Sequence, residues 1–151
     1  MTETNFPFPS DGKRYYTWNR YLRNEFGKKV YKVALDAGFD CPNRDGTVAF
    51  GGCTFCSAAG SGDFAGNKVD PIPVQFEKIK TKMESKWKDG LTMAYFQAYT
   101  NTHAPLEVLK EKFEAALACE GVMGLSIATR PDCLPDDVVE YLAELNERTY
   151  L

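Results

Sequence analysis

The chain has 151 residues, of which 44% are hydrophobic, 26% charged and 13% aromatic. That is enough for one domain with its own core, and it excludes collagen, coiled coil and disorder. The net charge of -3 hides a gradient, with seven Lys/Arg against three Asp/Glu over residues 1–32 and four against ten over residues 107–151, so only the N-terminal end is expected to face a polyanion.

Residues 1–10 (MTETNFPFPS) lack the basic and apolar regions of a signal peptide, and no apolar run reaches the roughly 18 residues of a membrane span. The chain therefore reads as cytoplasmic, with no membrane partner. Residues 13–32 interleave Lys13, Arg14, Arg20, Arg23, Lys28 and Lys29 with Tyr15, Tyr16, Trp18, Tyr21 and Phe26. Such a mixture suits single-stranded RNA. The helical spacing of Trp18, Tyr21, Leu22 and Phe26 equally predicts a helix packed on the domain, and packing is the favoured reading.

Val30–Leu35 (VYKVAL), residues 93–98 (MAYFQA) and residues 122–128 (VMGLSIA) are short runs rich in branched and aromatic residues, as expected of parallel strands buried on both faces. Amphipathic segments follow each of them. Residues 74–88 carry Phe76, Ile79, Met83 and Trp87 on one stripe, and residues 106–119 carry Leu109, Phe113, Ala116 and Leu117. Residues 135–148 begin at Pro135 with Asp136 and Asp137 at the positive end of the helix dipole, and bury Val138, Tyr141, Leu142 and Leu145. The alternation predicts an α/β fold with parallel strands, either an open doubly wound sheet or a (β/α) barrel. Residues 149–151 (TYL) read as the start of a fourth strand, which makes the chain look like a fragment.

Residues 36–73 lack periodicity and hold more than half of the glycines, the character of a functional loop. Cys41, Cys53 and Cys56 stand there in DCPNRDGTVAFGGCTFC, spaced C-x11-C-x2-C directly after the first strand. In a reducing compartment thiols in such an array are metal ligands sooner than disulfides. Three thiolates suit an iron-sulfur cluster with one open iron; with His103 or Cys133 as a fourth ligand they also make a zinc site, and the spacing leaves both open. The other strand ends carry polar residues too, in Gln97 to His103 and in Thr129 to Cys133, so the three ends are expected to share one cleft. Asn101, Thr102 and Asp132 have helix capping as an equal alternative.

The stretches TWNRYLRNEFG, KVALDAGFDCPNRDGT, GGCTFC, YFQAYTNTHAPLEVLKEKFEAAL and GLSIATRPDCLPD resemble the radical S-adenosylmethionine (AdoMet) superfamily, most closely its YtqA/YhcC-like branch. The eleven-residue first gap departs from the C-x3-C-x2-C usual in the superfamily. The resemblance implies the N-terminal half of a partial (β/α)6 barrel over residues 1–151, cut at the fourth strand. It implies a [4Fe-4S] cluster held by Cys41, Cys53 and Cys56, and AdoMet chelating the fourth iron. Reductive cleavage then gives methionine and a 5'-deoxyadenosyl radical. Phe55 holds the aromatic position near the adenine. Tyr99, Asn101, Thr129 and Arg130 are the expected cofactor contacts, although Tyr99-Thr100-Asn101-Thr102 replaces the superfamily's glycine- and acid-containing motif. Thr129-Arg130-Pro131-Asp132 resembles the matching strand end of elongator-type tRNA-modifying enzymes. The implied partners are a tRNA substrate, modified at a wobble uridine, and an electron donor such as flavodoxin or ferredoxin. The competing reading is a zinc-stabilised RNA-binding module. Arg130 has an ion pair with Asp132 as its plainer reading. Cys119 is expected in the core, and neither Cys133 nor His103 is given a catalytic role.

Overall fold

A computed structural model describes residues 13–151; the reading of residues 1–10 as lacking a signal peptide lies outside them. The described elements run α1 (Trp18–Phe26), β1 (Val30–Leu35), α2 (Ile72–Glu84), β2 (Leu91–Phe96), α3 (Leu106–Leu117), β3 (Val122–Ile127) and α4 (Asp136–Arg148), with one 3-10 turn at Pro131–Cys133. The strands form one parallel sheet in the order β1-β2-β3. Val30 lies opposite Leu91 and Leu35 opposite Phe96, and the β2–β3 register shifts by one residue between Thr92 and Met93. This is an α/β fold with flanking helices, a pattern that a half barrel and a Rossmann-like sheet share.

One face of the sheet carries the main core. Tyr31, Val33 and Leu35 of β1, Ala94 and Phe96 of β2 and Leu125 of β3 pack there against Phe76 of α2, Leu109 and Phe113 of α3 and Val138, Tyr141 and Leu145 of α4. Phe113 sits at the centre, its ring 4.9 Å from Phe96 and stacked at 6.5 Å on Tyr141. Burying such side chains is the largest favourable contribution to stability, roughly 1.5–3 kcal/mol each. The expected stripes therefore face the core, with Ile79, Met83, Leu117, Leu142 and Trp87 partly buried against it; Trp87 lies past the end of α2 and packs 5.4 Å from Tyr31.

A smaller cluster joins Leu22 of α1 to Val30 and Met93, with Tyr21, Phe26 and Tyr150 packed on it. α1 is thus a packed helix, capped by the Thr17 hydroxyl at one end and by left-handed Gly27 at the other. Tyr150 forms a parallel bridge with Gly124, and the Leu125 amide donates to its carbonyl at 2.8 Å. A Cβ on Gly124 would overlap that carbonyl, so glycine is what lets the backbone come so close. The expected strand start at residues 149–151 therefore has a first bridge in the sheet. Among the described residues no helix is long and apolar enough to cross a membrane.

Candidate functional site

The eleven residues between Cys41 and Cys53 are folded rather than loose. The Arg44 and Asp45 amides donate to the Cys41 carbonyl at 2.7 and 3.1 Å, Asp45 and Phe50 form an antiparallel bridge, and the Gly52 amide donates to the Asn43 carbonyl at 2.8 Å. The gap is therefore a small hairpin whose two ends meet, and this brings Cys41 towards Cys53 despite the long spacing. Cys56 follows in the next turn, its amide donating to the Cys53 carbonyl at 3.1 Å.

All three thiols line one cavity of about 300 Å³. Gln97, Tyr99 and Thr100 reach it from the end of β2, and Thr129 and Arg130 from the end of β3. The cleft shared by three strand ends, expected from the sequence, is thus present, and it lies where parallel α/β folds put ligands. Two thiols receive hydrogen bonds: Asn43 Nδ2 donates to Cys53 Sγ at 3.1 Å, and Ser61 Oγ to Cys56 Sγ at 3.9 Å. Among the described residues no group of three or more Cys, His, Asp and Glu side chains converges as a single metal ion requires.

The remaining expected residues divide. Phe55 lines the cavity and is 84% exposed, so it is no core aromatic. Tyr99 takes a left-handed φ of 61°, a costly conformation for a bulky side chain, and its hydroxyl donates to the Ala58 carbonyl at 3.0 Å. Arg130 grips Asp132 through two bonds of 2.9 and 2.6 Å. That bond raises the guanidinium further above its usual range and holds Asp132 below the usual carboxylate range.

Asn101 is wholly buried and does not line the cavity. Its Nδ2 ties the carbonyl of Phe96 to that of Ala128 at 3.1 and 2.9 Å, stitching the ends of β2 and β3, and its Oδ1 has no partner among the described residues. Thr102 is also buried and bonds the Thr129 hydroxyl and the Cys133 carbonyl. Among the described residues no side chain caps the N-terminus of α3 or α4, whose N-caps are Pro105 and Pro135, so the capping alternative for Asn101, Thr102 and Asp132 is not realised.

His103 and Cys133, the possible fourth zinc ligands, line a different cavity of about 680 Å³. His103 Nε2 pairs with Asp45 Oδ2 at 2.6 Å. Asp45 is held down at about 2, first by hydrogen bonds from Thr47 and then by His103. Burial, followed by the nearby Asp132 charge, pushes the Cys133 thiol up. Cys119 is half-buried against the core, and its thiol is likewise raised by burial. Sequence reasoning did not find Asn43, Ser61 or Arg44. The first and last become neighbours of the thiols only because the hairpin folds back.

The chain is 70% identical over 151 residues to the uncharacterized protein YtqA of Bacillus subtilis strain 168, covering all of this chain and 47% of that protein. It is 39% identical over 129 residues to Protein YhcC of Escherichia coli strain K12, covering 85% of this chain and 40% of that one. Uncharacterized protein MJ0486 of Methanocaldococcus jannaschii is 37% identical over 143 residues, 93% of this chain and 43% of its own. The chain thus spans less than half the length of these curated relatives. No family model matches it, and no solved structure does.

Proposed function

We propose that the chain is the N-terminal half of the partial (β/α)6 barrel of a radical AdoMet enzyme, with Cys41, Cys53 and Cys56 as the thiolate ligands of a [4Fe-4S] cluster. The observation that carries this reading is that Cys41, Cys53 and Cys56 line one cavity at the C-terminal ends of all three parallel strands, while His103 and Cys133 line another. A closed zinc site needs a fourth protein ligand; a cluster that leaves one iron to a cofactor does not. The donor set fits the cluster, because soft thiolates are its ordinary ligands and Asn43 and Ser61 already direct hydrogen bonds at two of the sulfurs.

When bound, the cluster supplies the electron that splits AdoMet into methionine and a 5'-deoxyadenosyl radical. The chain's own residues orient and enclose the reactants. Phe55 offers an exposed ring beside Cys56 for the adenine, while Tyr99, Thr129 and Arg130 present polar groups at the other strand ends. Asn101 serves that surface from beneath by holding the strand ends together. The substrate, on the sequence resemblance, is tRNA modified at a wobble uridine, with flavodoxin or ferredoxin as electron donor. The exposed Arg14, Arg23 and Lys28, within α1 and beside its two ends in the sequence, offer RNA phosphates positive charge.

The test is an anaerobic assay of the reduced, cluster-loaded protein with AdoMet. Formation of 5'-deoxyadenosine and methionine is expected. A fully loaded protein that leaves AdoMet intact would contradict the assignment.

A further inference from the structure

Arg44 lies within the hairpin between the first and second thiol, and its guanidinium crosses to the far side of the loop. Nη2 donates to the Ser57 carbonyl at 2.6 Å and Nη1 to the Ala58 carbonyl at 3.4 Å, the two residues that follow Cys56. The same group lies 5.3 Å over the ring of Tyr99, whose hydroxyl donates to that same Ala58 carbonyl at 3.0 Å. Its other flank meets Gly52, the residue before Cys53. There φ is +80°, and a Cβ would come within 2.9 Å of Nε. One half-buried side chain thus touches the segment entering Cys53, the segment leaving Cys56 and the end of β2, and it lines the cavity with all three thiols.

We propose that Arg44 is a positioning residue, a strut that holds the segments bearing Cys41, Cys53 and Cys56 around one cavity, so that the three sulfurs can close on a metal there. The inference rests on reading these cysteines as ligands. A physical argument supports it. A guanidinium presents its donors as a rigid fork and can bridge two carbonyls, whereas an ammonium is a single point of charge.

The test is an anaerobic titration of the metal-free intact protein with cadmium(II), a soft ion, followed by thiolate-to-metal charge-transfer absorption. Arg44→Met is expected to weaken cadmium binding by roughly ten- to a hundredfold, the usual cost of losing a group that orients ligands, and to lower the melting temperature of the metal-free protein by only a few degrees. Arg44→Lys keeps the charge without the fork and is expected to recover part of the affinity. Arg44→Met binding cadmium as tightly as wild type overturns the strut while leaving the cysteine site standing. A loss that merely tracks unfolding and is not repaired in Arg44→Lys overturns it too. A wild type that shows no thiolate absorption overturns the cysteine reading, and the strut with it.

Discussion

At the scale of single residues the site depends on side chains whose ordinary roles are refused by the fold. Phe55 is a large aromatic left 84% exposed, although burying it would stabilise the chain by roughly 1.5–3 kcal/mol. An exposed ring at the mouth of the thiol cavity is explained if a flat ligand covers it. Phe55→Ala is expected to keep its iron and to weaken AdoMet binding by on the order of 1 kcal/mol, about fivefold. Equilibrium binding to the loaded protein measures this, and unchanged affinity would remove Phe55 from the cofactor surface. Asn101 shows the opposite. Its sequence position at a strand end invites a ligand role, but its amide is engaged by Phe96 and Ala128, and only the tertiary structure reveals that two backbone carbonyls take up both of its N–H donors.

At the scale of elements, periodicity located what packs and missed where backbones leave the sheet. β1 falls on Val30–Leu35 as its apolar run implies, whereas β2 is Leu91–Phe96 rather than 93–98. Gln97 and Ala98 read as strand by composition, but the chain bends into the left-handed Tyr99 immediately afterwards. α2 begins at Ile72, after Pro71, and ends at Glu84, although its apolar stripe continues to Trp87. The residues that order the thiols were illegible for a physical reason: Asn43 meets Cys53, and Arg44 meets Ser57, only across a folded hairpin. Between α3 and α4, Tyr141 donates to Glu114 at 3.1 Å, and Arg148 pairs with the same carboxylate. Burial and then Glu114 raise the Tyr141 hydroxyl above its ordinary 10.0. A raised folded-state value means that the neutral phenol stabilises the fold fully below pH 10.0, and that this contribution is lost as the pH rises beyond it. Tyr31 and Tyr150 are raised as well, the latter to about 12, so wild type is expected to lose melting temperature between about pH 10 and pH 12. Tyr141→Phe should lose less over the same interval. Equal losses would show that Tyr141 titrates as it would in the unfolded chain.

At the scale of the whole molecule, three strand ends converge on one cavity while the outer side of β3 is bridged only at Tyr150 among the described residues. The curated relatives are more than twice as long as this chain, and the parallel bridge shows the direction in which a fourth strand would run. On the proposed function the cysteines at the carboxyl ends of the strands hold a metallocofactor, and that proposal stands or falls on which metal is there. The decisive measurement is iron, acid-labile sulfide and zinc content after anaerobic purification of wild type and of the Cys41→Ala, Cys53→Ala, Cys56→Ala and Cys119→Ala proteins. A brown wild type with iron and sulfide, lost on replacing Cys41, Cys53 or Cys56 and kept on replacing Cys119, is the predicted result. A colourless wild type with stoichiometric zinc, or a full cluster surviving in Cys53→Ala, would contradict it.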